Sequence, residues 1–408
     1  MISIAQRSKK QHFWLLIILG ALNTITPFSI DMYLPAFPQI ASDFNTTIDK
    51  VALSVSTYFL GYAIGQLIYG PLLDRYGRKA PLYVGLFIYI IATIGCFTTE
   101  SIQTLLMMRF VQALGGCVAS VAAMAMVRDF FPIEKSASII SLLVLILGAS
   151  PLLAPTVGSY IIAWWGWHFV FVILAIITAI ILLAVVFYLP KGQAPDLTVS
   201  LKPFAIARGY AQVLKEPRFY LYALAGSFSF AGLFLYVAHS PAIFMNYFGL
   251  SGKVYGAVFA ILSIGFIGSS QLNHALTKRY SSATILGSAI RVQCIAAVLF
   301  AIGAWQNWYG MVFVIIFLFI ILACAGIVYP NAAALCMAPF EKNAGAAAAL
   351  LGFIQIGIGA LISASAGLLP LNPVLTMAII IMATVVLAII ILWWGKGILV
   401  NPSISIAE

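Results

Sequence analysis

Gly70-Pro71-Leu72-Leu73-Asp74-Arg75-Tyr76-Gly77-Arg78-Lys79 joins two long apolar runs, 51–72 and 80–98. The decapeptide puts a carboxylate, three cations and two glycines into a turn too short to leave a membrane surface. A weaker copy, Leu272 to Leu286 (LNHALTKRYSSATIL), joins two further apolar runs about 204 residues later, half the chain length. The pair Arg75-Tyr76 recurs there as Arg279-Tyr280. Duplicated apolar bundles with charged turns on one membrane face are the pattern of a transporter built from two repeats.

Composition agrees. The chain of 408 residues is 63% hydrophobic and 8% charged, which excludes a set of water-soluble domains. In a soluble protein the net charge of +10 would point to nucleic acid; here its distribution points to the lipid bilayer and to no nucleic-acid partner. The cysteines at 96, 117, 294, 324 and 336 stand inside apolar runs without a CxxC pair, so neither a disulfide framework nor a metal site is expected. No small-residue cleavage site follows the first apolar run, which reads as a retained span.

Runs of about 20 apolar residues cross the hydrocarbon of a bilayer. Twelve are expected, near 13–40, 51–72, 80–98, 101–127, 137–160, 166–189, 218–243, 254–275, 283–304, 309–332, 345–369 and 373–394. With the N-terminus inside, seventeen of the 21 Lys and Arg residues fall in cytoplasmic segments, and the outer loops keep only Lys50 and Lys253. That asymmetry sets both termini in the cytoplasm. The tryptophans at 14, 164, 165, 167, 305, 308, 393 and 394 stand near span ends, as an aromatic belt requires.

The fold class expected is an all-α membrane protein of 12 transmembrane helices in two pseudo-symmetric six-helix bundles. Residues 1–189 form the first bundle, 190–217 a proline-rich basic cytoplasmic loop, and 218–408 the second bundle. Part of the loop, from about Ser200 to Glu216, reads as an amphipathic interfacial helix. Pro35-Ala36 matches Pro241-Ala242 and Lys50-Val51 matches Lys253-Val254, which extends the duplication beyond the charged turn.

Charges inside spans are costly unless paired or solvated. Asp31 lies ~14 Å below the outer end of the first span and Arg109 ~12 Å below that of the fourth, at 1.5 Å per residue. At equal depth, both are expected to face one cavity. Gln112, three residues past Arg109, shares its helix face and is placed to help hold the carboxylate. Burial and a neighbouring guanidinium act in opposite senses on a carboxyl, and that competition can poise a proton site. A purely structural ion pair is the other reading. His239 reads as a proton or ligand group or as a satisfied interfacial histidine, and Arg291 as snorkelling or facing the bundle. Gln271, Gln293, Asn331 and Gln355 line a cavity or join helices.

The fifth span carries Gly148-Ala149-Ser150-Pro151-Leu152-Leu153-Ala154-Pro155-Thr156-Val157-Gly158-Ser159. Prolines and small residues permit a kink and close helix contact. The matching place in the eleventh span, 352–359, is rich in glycine but free of proline. Close, bendable packing in both halves suits a rocking interface, although a static bundle can use it too.

The decapeptide resembles the loop 2–3 signature of the major facilitator superfamily, G-x-L-x-D-R-x-G-R-K, with every fixed position present. Met108-Arg109-Phe110-Val111-Gln112-Ala113-Leu114-Gly115-Gly116 is similar to the arginine motif of its 12-helix drug:proton antiporters. The fifth span resembles their antiporter motif, keeping Pro155 and Gly158 but with Ser150, Ala154 and Ser159 where glycines are usual. Asp31-Met32-Tyr33-Leu34-Pro35-Ala36 and Glu216-Pro217-Arg218-Phe219 resemble the Bcr/CflA branch of bicyclomycin- and chloramphenicol-type efflux proteins.

The resemblance implies a proton-coupled antiporter of the bacterial inner membrane, a functional monomer that exports small hydrophobic drugs by alternating access. The proton is its coupling ion and no other cofactor is implied. It puts Asp31, Arg109, Gln112 and Tyr33 at the proton-coupling and substrate cavity. It puts Gly70, Asp74, Arg75, Gly77, Arg78 and Asp129 at a cytoplasmic gating turn, and Pro151, Pro155 and Gly158 in the antiporter motif. Arg75 and Arg78 would pair with Asp129, and Asp74 would approach the start of the eleventh span, near Lys342 to Gly345. Export or uptake of a metabolite such as a sugar or amino-acid derivative is the alternative within transport, and a non-transporting membrane sensor or scaffold the alternative outside it. No P-loop, HExxH or CxxC motif and no triad-bearing GxSxG points to an ATPase or an enzyme.

Overall fold

The computed structural model describes residues 9–131, 133–190, 192–308, 310–340, 344–369 and 371–400. The chain divides into two compact units, with the division between Ile206 and Ala207. The first unit contains α1 (Lys9–Asp31), α2 (Phe37–Asp43), α3 (Ile48–Arg75), α4 (Lys79–Phe97), α5 (Ile102–Phe130), α6 (Ile133–Trp165) and α7 (His168–Phe187). A short helix, α8 (Pro203–Leu214), crosses the division. The second unit continues with α9 (Pro217–Pro241), α10 (Gly252–Leu276), α11 (Ser282–Trp305), α12 (Met311–Met337), α13 (Ala344–Ser365) and α14 (Pro373–Val400).

Among the described residues, 11 helical stretches are long and apolar enough to cross a membrane. The remaining expected span, 137–160, falls in α6, where many side chains of the first half lie outside the described residues. Helix starts follow side-chain chemistry: Thr47, Ser101, Ser251 and Ser281 each accept a hydrogen bond from a first-turn N–H that the helix itself leaves unpaired.

Each unit pairs its helices in the same order. In the first, α3 and α4 pack on α5, α1 on α5 and α6, and α4 on α7; in the second, α10 and α11 pack on α12, α9 on α12 and α13, and α11 on α14. That common pattern is the structural counterpart of the sequence duplication. One detail inverts between the copies. Tyr33 joins Ser54 of α3 at 2.8 Å, whereas in the second unit a serine, Ser240, joins Tyr255 of α10 at 2.8 Å.

Three details refine or correct the expectations. The first span, expected over 13–40, is found as Phe13–Asp43, but it is not one α-helix: α1 stops at Asp31 and a 3-10 turn, Leu34–Ala36, leads into α2. Pro35 disfavours helical backbone in the residue before it and removes an N–H, so the helix breaks there. The second unit departs from α geometry at the matching proline, where a π-helix, Ala242–Tyr247, follows Pro241. Second, the turn is shorter than the decapeptide: α3 runs through Gly70 and Pro71 to Arg75, leaving only Tyr76, Gly77 and Arg78 between helices. Third, Trp167 is not part of an interfacial belt. It is fully buried, with its indole N–H donating to Asp43 at 2.7 Å.

Candidate functional site

The first constellation lies inside the membrane-spanning part of the first unit. Arg109 of α5 is fully buried. Its Nη1 donates to Gln112 Oε1 at 2.6 Å, and Gln112 Nε2 donates to Thr93 Oγ1 of α4 at 2.7 Å. Thr93 in turn donates to the Tyr89 carbonyl at 2.6 Å. The guanidinium carbon stands 4.4 Å from the Tyr58 ring centre, 4.9 Å from Tyr33 and 5.9 Å from Phe171. A planar cation against the electron-rich faces of rings keeps part of the stabilisation that water would supply. Nε and Nη2 have no hydrogen-bond partner among the described residues.

Asp31 ends α1, two residues before the cage ring of Tyr33, and is buried. It forms no ion pair among the described residues, unlike Asp74 and Asp129, which both pair with Arg78. The last turn of a helix presents carbonyl oxygens and the negative end of its dipole, so it supplies a carboxylate with no donors. The structural Asp31–Arg109 ion pair, the other reading of these two charges, is not formed in this structure. Gln112 likewise holds the arginine and not the carboxylate, because both ends of its amide are already committed on α5 and α4.

Gly158 explains how α6 comes so close to this acid. A Cβ at that position would overlap the carbonyl oxygen of Met32, the residue after Asp31. Pro151 and Pro155 stand within α6 on the approach to that contact.

The second constellation is the charged turn. Arg78 Nε donates to Asp129 Oδ2 at 2.8 Å, Nη1 to Asp74 Oδ1 at 2.8 Å, and Nη2 to Gln193 Oε1 at 2.6 Å. The Gln193 amide N–H donates to Asp129 Oδ2 at 3.1 Å. Burial alone would lower the Arg78 pKa, but hydrogen bonds and charge from Asp129 and Asp74 together outweigh it and hold the value above the ordinary range. Arg75 does not join Asp129. It donates instead to the carbonyls of Leu197, at 3.0 Å, and Val199, while the Asp196 N–H donates to the Asp74 carbonyl at 3.1 Å. Gly77 has φ of +77°, a left-handed conformation that lets so short a turn close. Residues 192–199, read from sequence as part of the cytoplasmic loop 190–217, thus fold back over the turn. Lys342, near which Asp74 was expected to dock, lies outside the described residues.

In the second unit the polar residues singled out in the sequence have defined surroundings. His239 Nε2 lies 2.9 Å from the Ser363 carbonyl, joining α9 to α13 as a satisfied interior histidine. Gln293 donates to the carbonyls of Ser229 and Ile321, both at 3.2 Å, and Asn331 donates to Asn273 Oδ1 at 2.6 Å, so both amides join helices. Gln271 is exposed and Gln355 buried. Arg291 is exposed and bonds only its own helix, with Nε to the Gly287 carbonyl at 3.0 Å and Nη2 to Ser288 Oγ at 3.3 Å.

Sequence reasoning missed Tyr58, Phe171, Thr93 and Gln193. Aromatic and small polar residues inside apolar spans carry no positional signal, and a glutamine in a polar loop carries none either.

The pattern of the Major Facilitator Superfamily matches residues 19–364. A bicyclomycin resistance protein homolog of Haemophilus influenzae is 26% identical over 388 residues, covering 94% of this chain and 96% of that protein. A chloramphenicol resistance protein of Pseudomonas aeruginosa is 27% identical over 401 residues, covering 94% and 92% respectively. In three dimensions the chain is similar to a D-xylose-proton symporter, with a TM-score of 0.72 at 14% identity over 93% of this chain and 97% of that one. That last likeness establishes the fold alone. With the charged turn, the caged Arg109 and the repeated helix order already in place, the chain belongs to the Major Facilitator Superfamily.

Proposed function

We propose that this transporter exports small, largely apolar antibiotics of the amphenicol or bicyclomycin class across the bacterial inner membrane in exchange for protons. The observation that carries the reading is the state of Asp31 and Arg109. A buried carboxyl and a buried guanidinium occupy one unit without pairing, and the guanidinium keeps two nitrogens unsatisfied. A permanent structural pair would have closed on itself. The resistance names of the relatives and the aromatic lining around Arg109 support a drug-like, apolar substrate.

An ionised carboxylate is expensive in a dry site, and proton binding removes that cost. Proton binding at Asp31 therefore favours a closed arrangement there, and proton loss favours one open to water. Substrate and proton then bias opposite states, which is the differential affinity that alternating access requires. Asp74, Arg75, Arg78 and Asp129 serve as the gating turn on the cytoplasmic side, with both termini on that side and one chain as the working unit. The antiporter-motif residues Pro151, Pro155 and Gly158 set how closely α6 bears on the Asp31 turn.

The test is a resistance profile in a host stripped of its own efflux pumps, with and without a protonophore. Resistance to chloramphenicol or bicyclomycin that the protonophore abolishes is expected. Transport of a sugar or amino-acid derivative with no drug resistance would leave the fold and overturn the substrate.

A further inference from the structure

Arg291 is a cation in a span with no carboxylate to meet. No Asp or Glu stands between Glu216 and Glu341, so the helices around it contain no acid at all. The other intramembrane arginine, Arg109, is enclosed by rings; Arg291 is exposed on α11.

The outer face of α11 changes character along its length. Thr284, Ser288 and Arg291 are exposed polar residues at the Ser282 end. Val292, Ile295, Leu299 and Ile302 continue the row, each at least half exposed, as a lipid-facing apolar stripe. The remaining faces of α11 pack on α12 and α14.

The geometry points to a binding site on this face for the phosphate of an anionic phospholipid, we propose, with its acyl chains along the apolar stripe. The depth suits a headgroup. Arg291 is nine residues past Ser282, ~14 Å along the axis, and its side chain folds back about one turn, ~5 Å, toward that end. A helix of 24 residues, ~36 Å long, overhangs a hydrocarbon layer of ~30 Å, so the guanidinium hangs just beneath the interface.

The donors are also in place. Arg291 commits Nε to Gly287 and one Nη2 hydrogen to Ser288, leaving Nη1 free; Ser288, an acceptor in that bond, keeps its own hydrogen to donate. Gly287 adds a notch beside them, since a Cβ there would meet nothing within 4 Å. A zwitterionic headgroup fits less well, because its ammonium would face a cation with no carboxylate nearby. Charge complementarity thus selects a headgroup such as phosphatidylglycerol.

The experiment is native mass spectrometry of the full chain titrated with phosphatidylglycerol or phosphatidylethanolamine. The wild type should retain phosphatidylglycerol preferentially, and inorganic phosphate should not displace it. Arg291→Gln should weaken the tightest phosphatidylglycerol adduct by about tenfold. Gly287→Leu, which keeps the arginine but fills the notch, should weaken it too, while Arg291→Lys keeps the preference for an anionic lipid. Unchanged retention in Arg291→Gln and Gly287→Leu overturns the site, as does displacement by free phosphate. Loss of a two-chain species in place of a lipid adduct would overturn it as well, assigning this face to a second copy of the chain.

Discussion

Gly158 of α6 lies directly against the carbonyl of Met32, so α6 touches the backbone one residue from Asp31. No side chain fits between them. The glycine thus lets α6 lie directly against the chain just past the acid.

Replacing it tests that spacing. Gly158→Ala must push α6 and the Asp31 turn apart, an overpacking that costs about 1–3 kcal/mol. Thermal unfolding in detergent should shift down accordingly, and transport should fall further than the stability loss explains. An unshifted melting curve with full transport would mean that α6 is free to yield at this contact.

The charged turn separates stability from gating. Arg78→Ala leaves Asp129, whose side chain is 12% exposed, without its cation, a loss of about 3–5 kcal/mol for a buried pair. Asp74, 52% exposed, holds its own bond to Arg78 weakly, so Asp74→Asn should cost less than about 1 kcal/mol. Transport by Asp74→Asn should nevertheless drop sharply. Near-wild-type transport by that variant would reduce the turn to a topological anchor.

Charge alone should not replace Arg109. Lysine keeps the cation but loses the plane that faces Tyr58 and Tyr33 and the fork that reaches Gln112. Arg109→Lys should slow transport at least about tenfold with normal membrane insertion. Wild-type rates in inverted vesicles would show that the cage has no part in the cycle.

Orientation is open to labelling. Asp43–Lys50 should face outward and 190–217 inward, so a membrane-impermeant thiol reagent applied to cells should reach Thr46→Cys and miss Leu197→Cys. Replacing the native cysteines first removes their background, which is small because Cys96, Cys117, Cys324 and Cys336 are buried. The reverse labelling pattern inverts the topology.

The apolar spans and their charged turns were legible because membrane crossing demands about 20 apolar residues and leaves cations on one side. Pro35 was a readable signal for the break after Asp31, yet hydropathy runs straight through it. The choice between Arg75 and Arg78 for Asp129 was not readable, since both stand within reach and the decision rests on how 192–199 folds back. Gln112 was placed on the correct face, but its partner was decided by Thr93 on a neighbouring helix, which no spacing within α5 reveals. Arg291 was ambiguous for the same reason: helix periodicity gives a face, and only the packing of α12 and α14 says what covers it.

The central claim is that Asp31 carries the exchanged proton. Asp31→Asn keeps the size of the side chain and removes its ability to bind and release a proton. In proteoliposomes with an imposed pH gradient and an entrapped pH dye, chloramphenicol should dissipate the gradient with the wild type. With Asp31→Asn it should not, while equilibrium chloramphenicol binding stays within about tenfold. Dissipation by Asp31→Asn at the wild-type rate would contradict the account and move proton coupling to another group.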